Sequence, residues 1–219
     1  MKLLLISSSP RKEKSQTFLL AKEVLRGCSE AKDIESEIIH LCDLKIEFCR
    51  TFEACHEKIL SCPIKDDVSG ILKKMLASDG IILATPNYIN QVTAPLKALF
   101  DRASHFIHCK RLLGKYIVCV VSSGSGYDKP VLDYIKFYAH ICGAQYSGGI
   151  SSSASRIKEK MAQVYELGRK LVMDIKEKKA YADQIELIEK SKQHFKEIVR
   201  ARKDDWEEEY QYWLDKGWL

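Results

Sequence analysis

Serine, threonine and arginine side chains cluster near the N-terminus, where they could bind a phosphate group. The segment runs from Ser7 to Thr17 with the sequence SSSPRKEKSQT, and it joins an apolar run to an amphipathic stretch. Hydroxyls, backbone N–H groups and the positive end of a helix dipole bind anions, and Arg11 would add a charged contact. The glycine–lysine pattern of a P-loop is absent. A polar loop before a capped helix is the alternative interpretation.

Two further polar loops follow apolar runs. One reads TPNYINQ from Thr85, and its Tyr88 could lie against a flat ring, although an ordinary strand-to-helix loop explains it equally well. The other reads SSGSGYDK from Ser122, and its glycines would let a ligand approach the backbone closely. Its GxGxx spacing is reminiscent of a dinucleotide site. Lys129 replaces the third glycine, and the loop follows the fourth predicted strand, so we reject that interpretation.

Five strand-like segments alternate with helical patterns and must position these loops, although the second carries charges that weaken its strand pattern. We predict strands at residues 2–6, 35–41, 80–84, 116–121 and 144–150. Helices are predicted at 15–25, from about 66 to 76, and at 95–106, 131–141 and 155–178. The alternation predicts an α/β fold, with a doubly wound five-stranded parallel sheet and helices on both faces. Ligands bind at the carboxyl ends of such strands, so the three polar loops should meet there.

Two motifs resemble those of the NADPH-dependent FMN reductase family. SSPR at 8–11, followed by SQT, is similar to that family's GSPR loop and Ser/Asn/Thr-rich helix start. TPNY at 85–88, followed by PLK and FDR, is similar to its SPxY…LKxFxDR segment. The resemblance covers about residues 2–150 in the expected order, and it departs at Ser8, where the family commonly has glycine.

The resemblance implies a flavodoxin-like fold, an FMN cofactor, and NADH or NADPH as co-substrate. The residues implied to hold the FMN phosphate are Ser9, Arg11, Ser15, Gln16 and Thr17. Those implied to line or flank the isoalloxazine are Pro86, Asn87, Tyr88, Ile89, Asn90, Ser123, Gly124 and Gly126. The flavin would carry the chemistry, so no protein acid, base or nucleophile is implied. A homo-oligomer, dimer or tetramer, and a small-molecule or protein electron acceptor are also implied.

The resemblance implies an NAD(P)H-dependent oxidoreductase, an FMN- or quinone-type reductase that passes electrons through the flavin to an acceptor. Two rival functions remain open at this point. One is an electron-transfer flavoprotein without direct nicotinamide activity, which could retain a metal or iron–sulfur site. The other is a binding or assembly module that is not an enzyme.

Three cysteines, Cys49, Cys55 and Cys62, cluster in an irregular stretch at residues 42–66. Within the resembling family, iron–sulfur flavoproteins carry a C-x2-C-x2-C-x4–7-C run followed by Asp-Asp. In this chain Phe52 occupies the position of the second cysteine of that run, so three cysteines remain. A [4Fe–4S] cluster normally needs four thiolates.

The alternatives for this stretch are a substitute ligand, Cys42 or His56, and a Cys3His zinc site. We favour a chain that has lost the cluster, and we assign no metal. His105, His108 and Cys109 have helical spacing that permits metal binding, but the sequence offers them no partner.

The bulk composition is that of an ordinary globular protein, with 46% hydrophobic residues, 30% charged residues and a net charge of +5. The sequence has no dense basic block with interleaved aromatics, so it does not favour nucleic-acid binding. It also has no apolar run long enough to span a membrane. We expect a cytoplasmic protein with reduced thiols, in which Cys28, Cys42, Cys119 and Cys142 are core residues.

The C-terminal residues fall outside the alternating pattern. We expect an FMN-binding domain at 1–180 and a helical extension at 181–219, whose apolar stripe packs on the domain or on a second subunit.

Overall fold

A single parallel sheet forms the centre of the computed structural model, which describes residues 1–124 and 126–219. Its strand order within that part of the chain is β2-β1-β3-β4-β5. The strands are β1 (Lys2–Ser7), β2 (Glu35–His40), β3 (Gly80–Pro86), β4 (Tyr116–Ser123) and β5 (Gln145–Ser153). All neighbouring strands pair in parallel, so the predicted flavodoxin-like doubly wound sheet is confirmed.

Helices connect the strands and continue beyond the sheet. Those up to the fourth strand are α1 (Gln16–Cys28), α2 (Ala54–Glu57), α3 (Val68–Ala77), α4 (Ala94–Asp101) and α5 (Ser104–His108). Those that follow are α6 (Lys129–Ile141), α7 (Ile157–Lys176), α8 (Ala182–Ala201) and α9 (Glu207–Asp215). The helix predicted at 95–106 is interrupted at Arg102 and Ala103, where Ala103 leaves helical geometry at φ −107° and ψ 30°.

Four of the strands, β1, β3, β4 and β5, extend further at their carboxyl ends than predicted, whereas β2 ends one residue earlier, at His40. Ser7 pairs with Ala84, Pro86 with Ser122, and Ser123 with Ser153. Polar residues therefore continue the ladder beyond the core, which holds the loops that follow in a fixed register.

Alternating side chains of β1 face two separate cores. Leu4 and Ile6 pack with α3, α4 and α6 on one face, while Leu3 and Leu5 pack with α1 and α7 on the other. This alternation buries both faces of the strand, as expected for a parallel sheet covered by helices.

Two glycines allow α1 and α7 to approach each other closely. A Cβ on Gly168 would lie 2.0 Å from the Val24 carbonyl oxygen, and one on Gly27 would lie 2.0 Å from that of Tyr165. The Cys28 thiol donates to the Gly168 carbonyl at 3.3 Å across the same contact. No side chain other than hydrogen fits at either position.

Gly168→Ala is expected to destabilise the fold by about 2–3 kcal/mol, since the two helices must separate to admit the methyl group. Gly70→Ala is the matched control, because Gly70 is also helical but has nothing within 4 Å of an added Cβ. Helix propensity should stabilise that variant by about 0.5–1 kcal/mol. Urea unfolding of both FMN-free variants measures the difference, and a Gly168→Ala loss no larger than the control's change would contradict the packing argument.

The C-terminal extension packs on its own chain. The Gln184 side chain accepts from the Tyr146 N–H at 2.7 Å and donates to the Tyr146 carbonyl at 3.0 Å, which covers the free edge of β5. Trp213 is fully buried against Cys109 and Val199. These contacts account for the apolar stripe that the sequence left without a partner.

Among the residues that the structure describes, no helix has the length and apolar character needed to cross a membrane.

Candidate functional site

A cavity of about 290 Å³ lies at the carboxyl ends of β1, β3 and β4, where the strand order switches direction. Its volume is near the lower end of the range for small-molecule sites. The residues that line it are Ser9, Arg11, Ser15, Gln16, Thr17, Pro86, Asn87, Tyr88, Ser122, Ser123, Gly124 and Ala154. The three polar loops therefore meet, as their positions after successive strands predicted.

The first loop presents buried hydroxyls at the start of α1. Ser9, Ser15 and Thr17 are almost completely buried. Ser15 caps the helix, with its Oγ accepting from the Phe18 N–H at 3.0 Å. The N–H groups of Gln16 and Thr17, which precede Phe18 in the first turn, have no acceptor within the helix, so they remain available to an anion at this end.

The loops after β1 and β4 are connected through this site. The hydroxyls of Thr17 and Ser122 lie 2.5 Å apart, which fixes the helix start against the end of β4. Ser122 also accepts from the Asn87 N–H at 2.8 Å through its carbonyl, so the loop after β3 is held to the same strand.

Asn87 is oriented by the third loop. Its Nδ2 donates to the Tyr127 carbonyl at 2.9 Å and to Asp128 Oδ1 at 3.0 Å. Its Oδ1 is buried and has no partner among the described residues. The Asn87 amide is thus held in place by the hydrogen bonds that its Nδ2 donates, and its oxygen is left without a donor among the described residues.

Tyr88 begins a tight turn at the edge of the cavity. It forms a backbone bridge with Gln91, and the two residues between them have positive φ, 52° at Ile89 and 56° at Asn90. Ile89 lies at the tip and is 98% exposed, whereas Tyr88 is 51% exposed and lines the cavity.

Ten of the thirteen residues predicted for the cofactor site line this one cavity. Ile89, Asn90 and Gly126 do not line it and remain predictions; the neighbouring Ser125 lies outside the described residues. Ser122 and Ala154 were missing from the predicted set. Ser122 could have been recognised from its place in the polar loop, but Ala154 carries no chemical signal and reaches the site only through the extension of β5.

The donor set of the cavity fits FMN. A phosphate would find hydroxyls, first-turn N–H groups and Arg11 in the first loop. A flavin ring, which carries both N–H and carbonyl groups, would find the orphaned Asn87 Oδ1 beside Pro86 and Tyr88.

A second, smaller cavity of about 30 Å³ is lined by all three clustered cysteines. Phe52, which occupies the position of the missing cysteine in the sequence, also lines this cavity and is 56% exposed. The Cys62 sulfur accepts from Arg102 Nη2 at 3.3 Å, and the Cys55 sulfur lies 3.7 Å from the Ser104 hydroxyl. Three thiols and a phenyl ring do not fit a cluster that needs four thiolates.

Neither substitute ligand from the sequence lines this cavity. The thiol of Cys42 donates to the Ser8 carbonyl at 3.6 Å, and this cysteine is exposed, so its predicted place in the core is wrong. His56 Nδ1 lies 2.6 Å from Glu209 Oε1, and its Nε2 lies 3.4 Å from the Ser104 hydroxyl.

Asp66 and Asp67 hold the end of the irregular stretch at residues 42–66, here called the cysteine segment, against its beginning. Asp66 accepts from the Glu47 N–H at 3.0 Å, and Asp67 accepts from the Lys45 N–H at 2.8 Å. Arg102 donates to both Asp66 oxygens, at 2.8 and 3.3 Å, and to the Glu47 carbonyl at 2.9 Å. Burial raises the pKa of Asp66, but the hydrogen bonds from Arg102 and the backbone outweigh it and lower that pKa overall.

Curated relatives of this chain are named iron–sulfur flavoproteins. The one from Methanosarcina thermophila is 29% identical over 202 residues, which cover 88% of this chain and 99% of that protein. One from Methanocaldococcus jannaschii is 47% identical over 103 residues, 47% of this chain, and the match spans about half (52%) of that relative's length.

Solved structures with the same fold include a flavone reductase and the NAD(P)H:quinone oxidoreductase of Methanothermobacter marburgensis. The flavone reductase has a TM-score of 0.64 at 22% identity, over 80% of this chain and 63% of its own. The quinone oxidoreductase has a TM-score of 0.58 at 16% identity, over 78% and 96%.

The sequence profile described as NADPH-dependent FMN reductase matches residues 1–159, which include every residue that lines the larger cavity. The chain therefore belongs to the NADPH-dependent FMN reductase family.

Proposed function

We propose that the protein binds FMN in the larger cavity and is an oxidoreductase that passes electrons from NADH or NADPH to an acceptor. The observation that carries this proposal is the meeting of three loops around one cavity. A phosphate cradle forms one end of it, and Pro86, Asn87 and Tyr88 form the other. Membership of the family supports the same cofactor and the same class of reaction.

When bound, FMN supplies the hydride and electron transfer. The chain's own residues bind and orient it. Ser15 and Thr17 hold the phosphate at the N-terminus of α1. The amide N–H groups of Asn87 donate to Tyr127 and Asp128, so its Oδ1 is the acceptor left for an N–H of the ring.

Tyr88 controls access to the ring. The side chain lines the cavity while half of it is exposed, so it would contact both the cofactor and an incoming substrate. We propose no protein acid, base or nucleophile. The homo-oligomer and the cytoplasmic location remain predictions.

Arg11→Ala is expected to weaken FMN binding by about 10- to 100-fold, because a charged hydrogen bond contributes about 1.5–3 kcal/mol. Riboflavin lacks the phosphate, so its affinity should change by less than about twofold. Quenching of flavin fluorescence by the apoprotein measures both constants. Lys14→Ala is the matched control, since Lys14 is basic, lies in the same turn and does not line the cavity. Equal losses for the two flavins would contradict phosphate binding by Arg11.

An electron-transfer flavoprotein without direct nicotinamide activity is the second candidate. The observation that favours it is that relatives aligned over 99% and 100% of their lengths are named iron–sulfur flavoproteins. Anaerobic stopped-flow mixing of the FMN-loaded protein with NADH, with NADPH and with dithionite separates the two. If dithionite reduces the flavin and neither NADH nor NADPH does, the nicotinamide-dependent function is overturned and the electron-transfer function is left.

A further inference from the structure

Two histidines and a glutamate meet in the interior, away from the residues that line the FMN cavity. His56 of α2 and His108 of α5 turn their Nδ1 atoms to the carboxylate of Glu209, which belongs to α9. The distances are 2.6 Å to one oxygen and 3.0 Å to the other. The three donor atoms lie within 4.8 Å of one another, and Glu209 is fully buried.

The surroundings hold this group in a fixed orientation. The two imidazole rings stack at 4.8 Å, and Trp206 stacks on them at 4.6 and 4.8 Å. The second nitrogen of His56 lies 3.4 Å from the Ser104 hydroxyl. Metal-binding histidines typically make such a contact through the nitrogen that faces away from the ion.

A buried carboxylate needs a positive charge beside it. Glu209 is fully buried, and its two carboxylate oxygens face the Nδ1 atoms of His56 and His108. A protonated histidine or a bound cation can supply the positive charge that it needs.

We propose that His56, His108 and Glu209 form a binding site for one divalent first-row transition-metal ion of the zinc class. Two imidazoles and a carboxylate are a ligand set that zinc uses, with metal–ligand distances of about 2.0–2.2 Å. The donor atoms are already close enough that shifts of about 1 Å would place them around an ion. The fourth position is left to water or another small donor.

The bound ion would fasten α9 to α2 and α5. Other contacts converge on the same place: the indole N–H of Trp206 donates to Glu53 Oε2 at 3.2 Å, and the Ile59 N–H donates to Glu208 at 2.7 Å. In the sequence, the spacing of His105 and His108 permits metal binding, but no further ligand is evident. The fold supplies one to His108, namely Glu209, which lies 101 residues further along the chain.

Zinc binding to the chelator-stripped full-length protein tests the proposal, with metal content measured by mass spectrometry and affinity by competition with a chromophoric chelator. We expect about one zinc per chain, and Glu209→Gln should weaken binding by more than about 100-fold. Glu208→Gln is the matched control, because Glu208 precedes Glu209 and contacts the backbone of Ile59. Failure of the unmodified chain to bind zinc, or equal affinity in the Glu209 variant, would overturn the proposal.

Cobalt substitution distinguishes this site from the three clustered cysteines even if a variant fails to fold. Co²⁺ bound by two histidines and a glutamate should show visible d–d bands without sulfur-to-cobalt charge transfer in the near ultraviolet. A strong charge-transfer band would place the metal on thiolates and overturn the proposal. Retention of the spectrum in a Cys49→Ser, Cys55→Ser and Cys62→Ser chain would support it, whereas its loss there would refute it.

Discussion

Phe52→Cys is expected to give the protein a [4Fe–4S] cluster, with about four iron and four sulfide per chain after anaerobic reconstitution. The unmodified chain should bind far less than one cluster. The physical reason is that Phe52 lines the same small cavity as Cys49, Cys55 and Cys62, and its replacement completes a set of four thiols there. Iron and acid-labile sulfide analysis, together with the visible spectrum, measures the gain.

Phe48→Cys is the matched control for this gain. Phe48 is an exposed aromatic of the same segment, but it does not line the cavity. A cluster in this control, or a full cluster in the unmodified chain, would show that four thiolates around this cavity are not the requirement. Sulfide is measured as well as iron because a mononuclear ion at His56, His108 and Glu209 would contribute none.

Arg102→Met is expected to destabilise the protein by about 3–5 kcal/mol, the cost of leaving a buried charge without its partner. Both side chains of the Arg102–Asp66 pair are buried, with 3% and 1% exposed. The same guanidinium also contacts the Glu47 carbonyl and the Cys62 sulfur, so the variant should loosen the cysteine segment. Chemical denaturation and amide hydrogen exchange measure the two effects.

Lys97→Met is the control for Arg102→Met, because it breaks an exposed i,i+4 pair with Asp101 and should cost less than about 0.5 kcal/mol. Acid should reduce the difference between Arg102→Met and the unmodified chain. The pKa of Asp66 is lowered in the folded state, so the stability it contributes is present above the ordinary Asp pKa of about 4. That stability is lost as pH falls through the lowered value. A constant difference across this range would contradict the assignment.

Local patterns predicted the sheet mainly through β1, β3 and β4, because buried parallel strands are short apolar runs and the chain separates these three with polar segments. They failed at the strand ends, where serines such as Ser7 and Ser123 pair in the ladder without any apolar signal. They also missed the break in the helix at Arg102. Arg102, which lies at that break, pairs with a carboxylate 36 residues away, a contact that no local pattern contains.

The cofactor loops were predictable for a related reason. Each follows a strand directly, so a correct strand assignment brings Ser9, Asn87 and Gly124 to one edge of the sheet. The contacts between Glu209 and the two histidines could not be predicted, because they join segments 101 and 153 residues apart. Cys42 was placed in the core because its neighbours are apolar, yet the turn after β2 leaves it exposed.

Two parts of the chain hold the cysteine segment in place, and only one of them lies within the residues that the family profile matches. Arg102 lies within the matched residues 1–159, whereas Trp206, Glu208 and Glu209 lie beyond them. We therefore expect a substitution in the segment at residues 53–59, or in that at 206–209, to weaken their contacts unless the other segment changes to match. Among relatives that carry this extension, the two should vary together, and those that lack it should organise the segment by other means.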